Sequence, residues 1–166
     1  MLSGRSLHAL GFLVGRDITY FRPAHYVLIL FPSIKELTTL FLASVRVVRQ
    51  DSSIPDESRR EILDLTKYIW DRVSDDHLAR LASAVEQFEK EGTGADLVGW
   101  ARSIEVAAGR AGLLLCGDIA TANEVLASDD RSVGNLNSRD RVQDLIPFSV
   151  SKAYADLRNM LGIAVG

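Results

Sequence analysis

Two short stretches of the chain put ionisable side chains where their neighbours call for tight apolar packing. Residues 105–112 read EVAAGRAG, and Glu105 shares its helical face with Ala101, Ala108, Gly109 and Gly112, small residues that let another helix approach. Residues 15–20 read GRDITY, with Arg16 and Asp17 set inside an otherwise apolar run. Arg16 and Tyr20 are one turn apart and share a face. A carboxylate in such a place can serve as a general base, a metal ligand or a structural charge. Left alone in the interior it costs several kcal/mol, so Glu105 requires a cation or hydrogen-bond donors.

Other site chemistries find little support. His8, His25 and His77 do not fall at metal-ligand spacing, and no HExxH or CxxC occurs. Cys116 is the only cysteine, ends an apolar run and has no histidine near it in sequence; a packed thiol is expected. GTGAD at 92–96 is a turn entering a helix, not a phosphate-cradling loop, and Ser149 and Ser151 lack a nucleophile-elbow context. His25 follows a proline at a helix start, where capping or packing is expected. Trp70 and Trp100 sit at helical spacing among apolar residues and are expected to anchor a core.

The elements that must position these residues are helical. Apolar residues recur at helical spacing nearly throughout, with no period-2 segment. A first helix over 5–21 is apolar around its whole circumference and stops before Pro23, which predicts a core helix. A short helix at 24–31 ends at Pro32, and Ser33 with Glu36 caps a third. Two charged helices follow near 56–73 and 75–91, expected as a solvated hairpin packed on the core. A long helix over 96–115 carries EVAAGRAG, and Gly117-Asp118 breaks it before another that runs to about 127. Residues 128–140, SDDRSVGNLNSRD, read as a loop, and a helix or helix pair over 139–161 closes the chain. The expectation is an all-α, compact multi-helix domain with about seven to nine helices around a buried N-terminal helix, a single domain over 1–166.

Composition agrees with a globular chain of this kind: 166 residues, 47% hydrophobic, 25% charged and a formal net charge of −3. The basic residues are scattered, so no nucleic-acid partner is expected. The lone cysteine fits a reducing compartment. The N-terminal apolar stretch is broken by Arg16 and Asp17 and carries no cleavage pattern, and no apolar run reaches the roughly 18 residues of a membrane span. A soluble, cytoplasmic protein is expected.

GFLVGRDITYFRPAHY, residues 11–26, resembles the active-site helix of HtpX-like zinc metallopeptidases, relatives of the CAAX prenyl protease, which typically reads FVLGHELGHxxxGH. EVAAGRAG resembles the same family's ExxADRAG segment, which supplies the third zinc ligand. The resemblance implies that Arg16 stands at the first histidine ligand, Asp17 at the catalytic glutamate and Tyr20 at the second histidine. His25 matches a further histidine not needed for zinc. Glu105 keeps the third-ligand position, Gly109 replaces a supporting aspartate, and Arg110 matches the rest of the segment with Ala111 and Gly112.

That set implies a degenerate site with no zinc, no other cofactor and no catalysis, in which Arg16 replaces the metal's charge. It predicts a buried Arg16–Glu105 salt bridge, with the Tyr20 hydroxyl bonded to Glu105. FRPAHYVLILFPSIKELTTLFLA, WARSIEVAAGRAGLLLCGD and FSVSKAYADLRNMLGIAVG together look like a C-terminal domain of large bacterial, often myxobacterial, tetratricopeptide-repeat proteins. This implies a protein-interaction or scaffold module whose partner is a repeat region or a peptide. It also implies that Met1 is a fragment start that leaves an apolar surface. The alternatives are a hydrolase with an atypical site at Asp17, Tyr20 and Glu105, in which Asp17 is a residual general base, and a structural cap of a helical-repeat array.

Overall fold

Side-chain caps start most of the helices. Ser6, Ser33, Ser74, Asp118, Asn137 and Ser151 each accept a backbone N–H in the first turn that follows, a contact worth about 1 kcal/mol. The computed structural model describes residues 6–92, 94–129 and 131–163. Met1 lies outside them.

Among the described residues the chain is all-helical. Its helices are α1 (Leu7–Tyr20), α2 (Val27–Leu30), α3 (Ile34–Val48), α4 (Arg59–Trp70, entered by a 3-10 turn at Asp56–Ser58), α5 (Asp75–Glu91), α6 (Leu97–Cys116), α7 (Ile119–Ala127), α8 (Ser138–Ser149) and α9 (Lys152–Met160). Pro147, which lacks an N–H, lies in the final turn of α8. The closing segment is thus a helix pair. Gly92 ends α5 and Gly117 separates α6 from α7, both at positive φ, the region glycine enters without penalty.

The chain divides into two compact units, residues 1–32 with 98–166 and residues 33–97, where sequence alone suggests one domain. Helical periodicity tells which residues turn inward but not toward which centre. The second unit holds α3, α4 and α5. Ala43, Ile54 and Ile62 are buried there beside Leu42, Leu65 and Ile69, and Phe41 meets Phe88 edge to face at 5.5 Å. Trp70 does not anchor this core. It ends α4 and stays 50% exposed, because the apolar face of α4 is already filled by Ile62, Leu65 and Ile69.

The first unit holds the remaining helices. Phe12, Leu113, Leu126 and Leu145 form its centre with Ala9, Cys116, Ala122 and Val125. Helix α1 buries Ala9, Phe12, Gly15, Arg16 and Thr19, which lie on one side of its axis. Leu7, Val14, Ile18 and Phe21, on the opposite side, are each more than half exposed. Burial of α1 is therefore one-sided, not the full circumference that its composition suggests.

Helices α1 and α6 touch backbone to backbone. A Cβ on Gly15 would stand 2.4 Å from the Ala111 carbonyl oxygen, and one on Gly112 would stand 2.8 Å from that of Phe12. Of the small residues on the Glu105 face, Gly112 thus serves helix approach.

Candidate functional site

The close crossing of α1 on α6 brings the two unusual stretches together. Arg16, Asp17, Tyr20, Glu105 and Gly109 all line one cavity of about 590 Å³, which lies wholly within the first unit. Its apolar wall includes Leu28, Leu126 and Leu145, all buried, while Phe21 and Ile29 are exposed.

Arg16 and Glu105 do not form the expected salt bridge. Arg16 is only 7% exposed, and its guanidinium donates through Nη1 to the Asp129 carboxylate and through Nε to Asp17 Oδ1 at 3.3 Å. Glu105, 8% exposed, accepts from the Ser132 hydroxyl at 2.7 Å and from the backbone N–H groups of Val133 and Gly134, the latter at 2.9 Å. The reason is the loop between α7 and α8, which delivers a carboxylate to Arg16 and three donors to Glu105. Each buried charge is satisfied locally, and neither needs the other.

The loop is seated by backbone fit as well. Arg102 Nε donates to the Gly134 carbonyl at 2.7 Å, and a Cβ on Gly134 would come within 2.6 Å of the Arg102 side chain. Two successive N–H groups converge on one Glu105 oxygen, a small backbone nest for an anion. Asn135 follows at φ 57°, a left-handed turn position that asparagine tolerates.

Asp129 is the centre of charge. Burial would raise its pKa, but the Arg131 hydrogen bonds, from side chain and backbone, together with the Arg16 and Arg131 charges outweigh that and hold it at about 2. Arg141 from α8 donates to the main-chain carbonyls of Arg131, at 3.3 Å, and of Asp129, while its buried Nε has no partner. Tyr20 is half-buried, and its hydroxyl is not among the groups that hydrogen-bond Glu105, contrary to expectation. Burial first, then the negative charge of Glu105, raises its pKa to about 12, with Arg16 pulling the other way.

The other sequence candidates serve elsewhere. His25 Nδ1–H donates to the Thr19 carbonyl at 2.9 Å and ties the turn after α1 to that helix. Arg110 forms a two-pronged pair with Asp144 of α8, at 2.9 and 2.6 Å, and lies over the Phe148 ring. Neither lines the cavity. Gly109 does, but a Cβ there would meet only Leu145 Cδ2 at 3.6 Å, an ordinary contact. Asp129, Arg131, Ser132 and Arg141 belong to the site and carry no sequence signal beyond the charge density of SDDRS and SRDR.

Zinc does not fit these residues. Both Glu105 oxygens already accept hydrogen bonds, and α1 offers a guanidinium and a phenol held protonated. Among the described residues no three His, Cys, Asp or Glu side chains converge to hold a metal ion, and no helix is long and apolar enough to cross a membrane. No protein family, curated protein or solved structure matches the chain.

Proposed function

We propose that this chain is a non-catalytic interaction or scaffold module built on a dismantled metallopeptidase-like site. One observation carries the reading: the residues at the positions that the HtpX-like resemblance assigns to chemistry are spent on holding one loop. Arg16 is tied to Asp129, and Glu105 is filled by Ser132, Val133 and Gly134. A peptidase carboxylate must offer a lone pair to metal or water, and Glu105 offers its lone pairs to its own backbone. Asp17 is exposed, and its carboxylate accepts a hydrogen bond from Arg16. The partner proposed is a protein segment, a peptide or a helical-repeat region.

The test is zinc stoichiometry and peptide hydrolysis on the same preparation. After zinc loading and dialysis the chain is expected to retain none by plasma mass spectrometry and to leave a casein digest unchanged. One zinc per chain that disappears in Glu105→Gln overturns the reading, as does hydrolysis that disappears in Asp17→Asn. Co-purification with a tetratricopeptide-repeat segment tests the partner.

A further inference from the structure

Helix α1 turns an apolar face away from its own core. Leu7, Val14, Ile18 and Phe21 are each more than half exposed, Leu7 by 86%. With Gly11, partly exposed between Leu7 and Val14, they recur at alternating steps of four and three residues, the seam by which one helix packs along another. Helix α6 widens the face. Gly11 lies against the Leu115 backbone and Gly15 against that of Ala111, so the two helices run in opposite directions. One turn on from Ala111, Ala107 comes level with Ile18 and Thr19. Ala107 and Leu115 are both exposed. All of these residues belong to the first unit.

The ionisable groups of this stretch stand at its margins. His8 bonds the Cys116 carbonyl at 2.7 Å, Asp17 bonds Arg16, and Arg22 comes after the helix. A contiguous apolar patch of several hundred Å² on a globular domain marks a contact surface. Pairing the face with a copy of itself covers about 600 Å² on each chain, about 1,200 Å² together, which reaches the range of specific interfaces. The seam also carries both halves of the fit. In an antiparallel pair turned about Val14, Leu7 meets Phe21, Ile18 meets Gly11 and Val14 meets its own copy. Large then lies over small, whereas a parallel pair sets Phe21 on Phe21 and leaves Gly11 opposite Gly11. Helices that lie on membranes set Lys and Arg on the side opposite their apolar face; behind this seam stand Phe12, Gly15 and Thr19, all buried.

We propose that this face is the interface of a homodimer, in which two α1 helices pack antiparallel about a two-fold axis at Val14, with Ala107 and Leu115 of each α6 beside them. A two-fold interface requires a surface complementary to itself, and Ile18 and Phe21 beside the hollow at Gly11 supply one. Of the face only Phe21 also lines the cavity. The dimer does not depend on the non-catalytic reading, because Arg16 and Glu105 are buried and take no part in it.

Sedimentation velocity of the full chain, from low to high micromolar concentration, tests it. A monomer–dimer equilibrium is expected. Val14→Asp and Leu7→Asp should each weaken it at least tenfold with helix content unchanged by circular dichroism, Leu7 being the safer site because it is the more exposed. Val150→Asp, as exposed at 84% but at the end of α8 and off the face, should leave it unchanged. On mild oxidation Val14→Cys should join its own copy through a disulfide. Phe21→Cys should not, since seven residues from the axis it stands about 20 Å from its copy. A monomer at every concentration overturns the proposal, and flotation of that monomer with phosphatidylcholine vesicles would give the face to lipid. A dimer that Val14→Asp and Leu7→Asp leave intact overturns it too, as does one that joins through Phe21→Cys and not Val14→Cys. Zinc content and hydrolysis decide the non-catalytic reading separately.

Discussion

Replacing Glu105 by alanine should unseat the loop between α7 and α8. The side chain accepts three hydrogen bonds, two of them from the backbone N–H groups of Val133 and Gly134. Ser132 can turn its hydroxyl elsewhere, but the two N–H groups cannot, and Gly134 is buried. Each stranded donor costs about 1–3 kcal/mol, so the loss is about 2–6 kcal/mol unless the loop opens to water. Glu105→Gln keeps one carbonyl for both N–H groups and can turn its amide toward the Ser132 oxygen. Neutral hydrogen bonds are about half as strong as charged ones, which gives a loss of about 1–2 kcal/mol. Urea denaturation of the three proteins measures the order, and hydrogen exchange locates it at the amides of Val133 and Gly134. A double-mutant cycle adds the sharper test: Glu105 with Ser132 should couple by at least about 0.5 kcal/mol, and Glu105 with Arg16 by less. A loss under about 1 kcal/mol in Glu105→Ala, or unchanged protection of those two amides, would refute the reasoning.

The tight crossing of α1 and α6 gives a graded prediction. Gly15→Ala and Gly112→Ala, whose Cβ atoms would collide with backbone, should each cost about 1–3 kcal/mol or more, while Gly109→Ala, in ordinary contact only, should gain about 0.5–1 kcal/mol from helix propensity. Asp129, held at about 2, favours folding above its unfolded value near 4; this contribution should fade as pH falls from about 4 to about 2, and an acid titration of Asp129→Asn should lack that component. Tyr20, raised to about 12, contributes fully below its unfolded value near 10 and loses its contribution as pH rises toward 12. The ultraviolet tyrosinate signal missing from Tyr20→Phe should therefore be the one that titrates near 12.

The helices were legible because their signals are local. Ser33, Ser74, Asp118 and Ser151 announce their helices within a few residues, and Pro23, Gly92 and Gly117 mark where others stop. The pairing of GRDITY with EVAAGRAG was legible too, since a charge inside an apolar face demands a partner and small residues mark a close crossing. What pairs with those charges was not. Asp129, Ser132 and Gly134 sit in a segment without periodicity, and nothing in their spacing says that the loop folds back over α6. A backbone N–H is present at every residue, so no sequence marks Val133 and Gly134 as the donors that Glu105 uses. The salt bridge expected between Arg16 and Glu105 does not form for that reason: most of the donors that fill Glu105 are main-chain groups that no residue type announces.

The same loop holds the buried charges and walls the cavity, and this couples the two. Arg131, Ser132 and Val133 line the same space as Glu105 and Arg16. Opening the loop removes the Asp129 and Arg131 carbonyls that hold Arg141, so the loop and the start of α8 are tied as well. Glu105→Ala should therefore speed hydrogen exchange in the first turns of α8 as well as at the Val133 and Gly134 amides. Amides of α4 and α5, in the other unit, should not respond. Equal acceleration across both units would mean that the substitution destabilises the chain as a whole, and an unchanged rate in α8 would mean that Arg141 does not tie that helix to the loop.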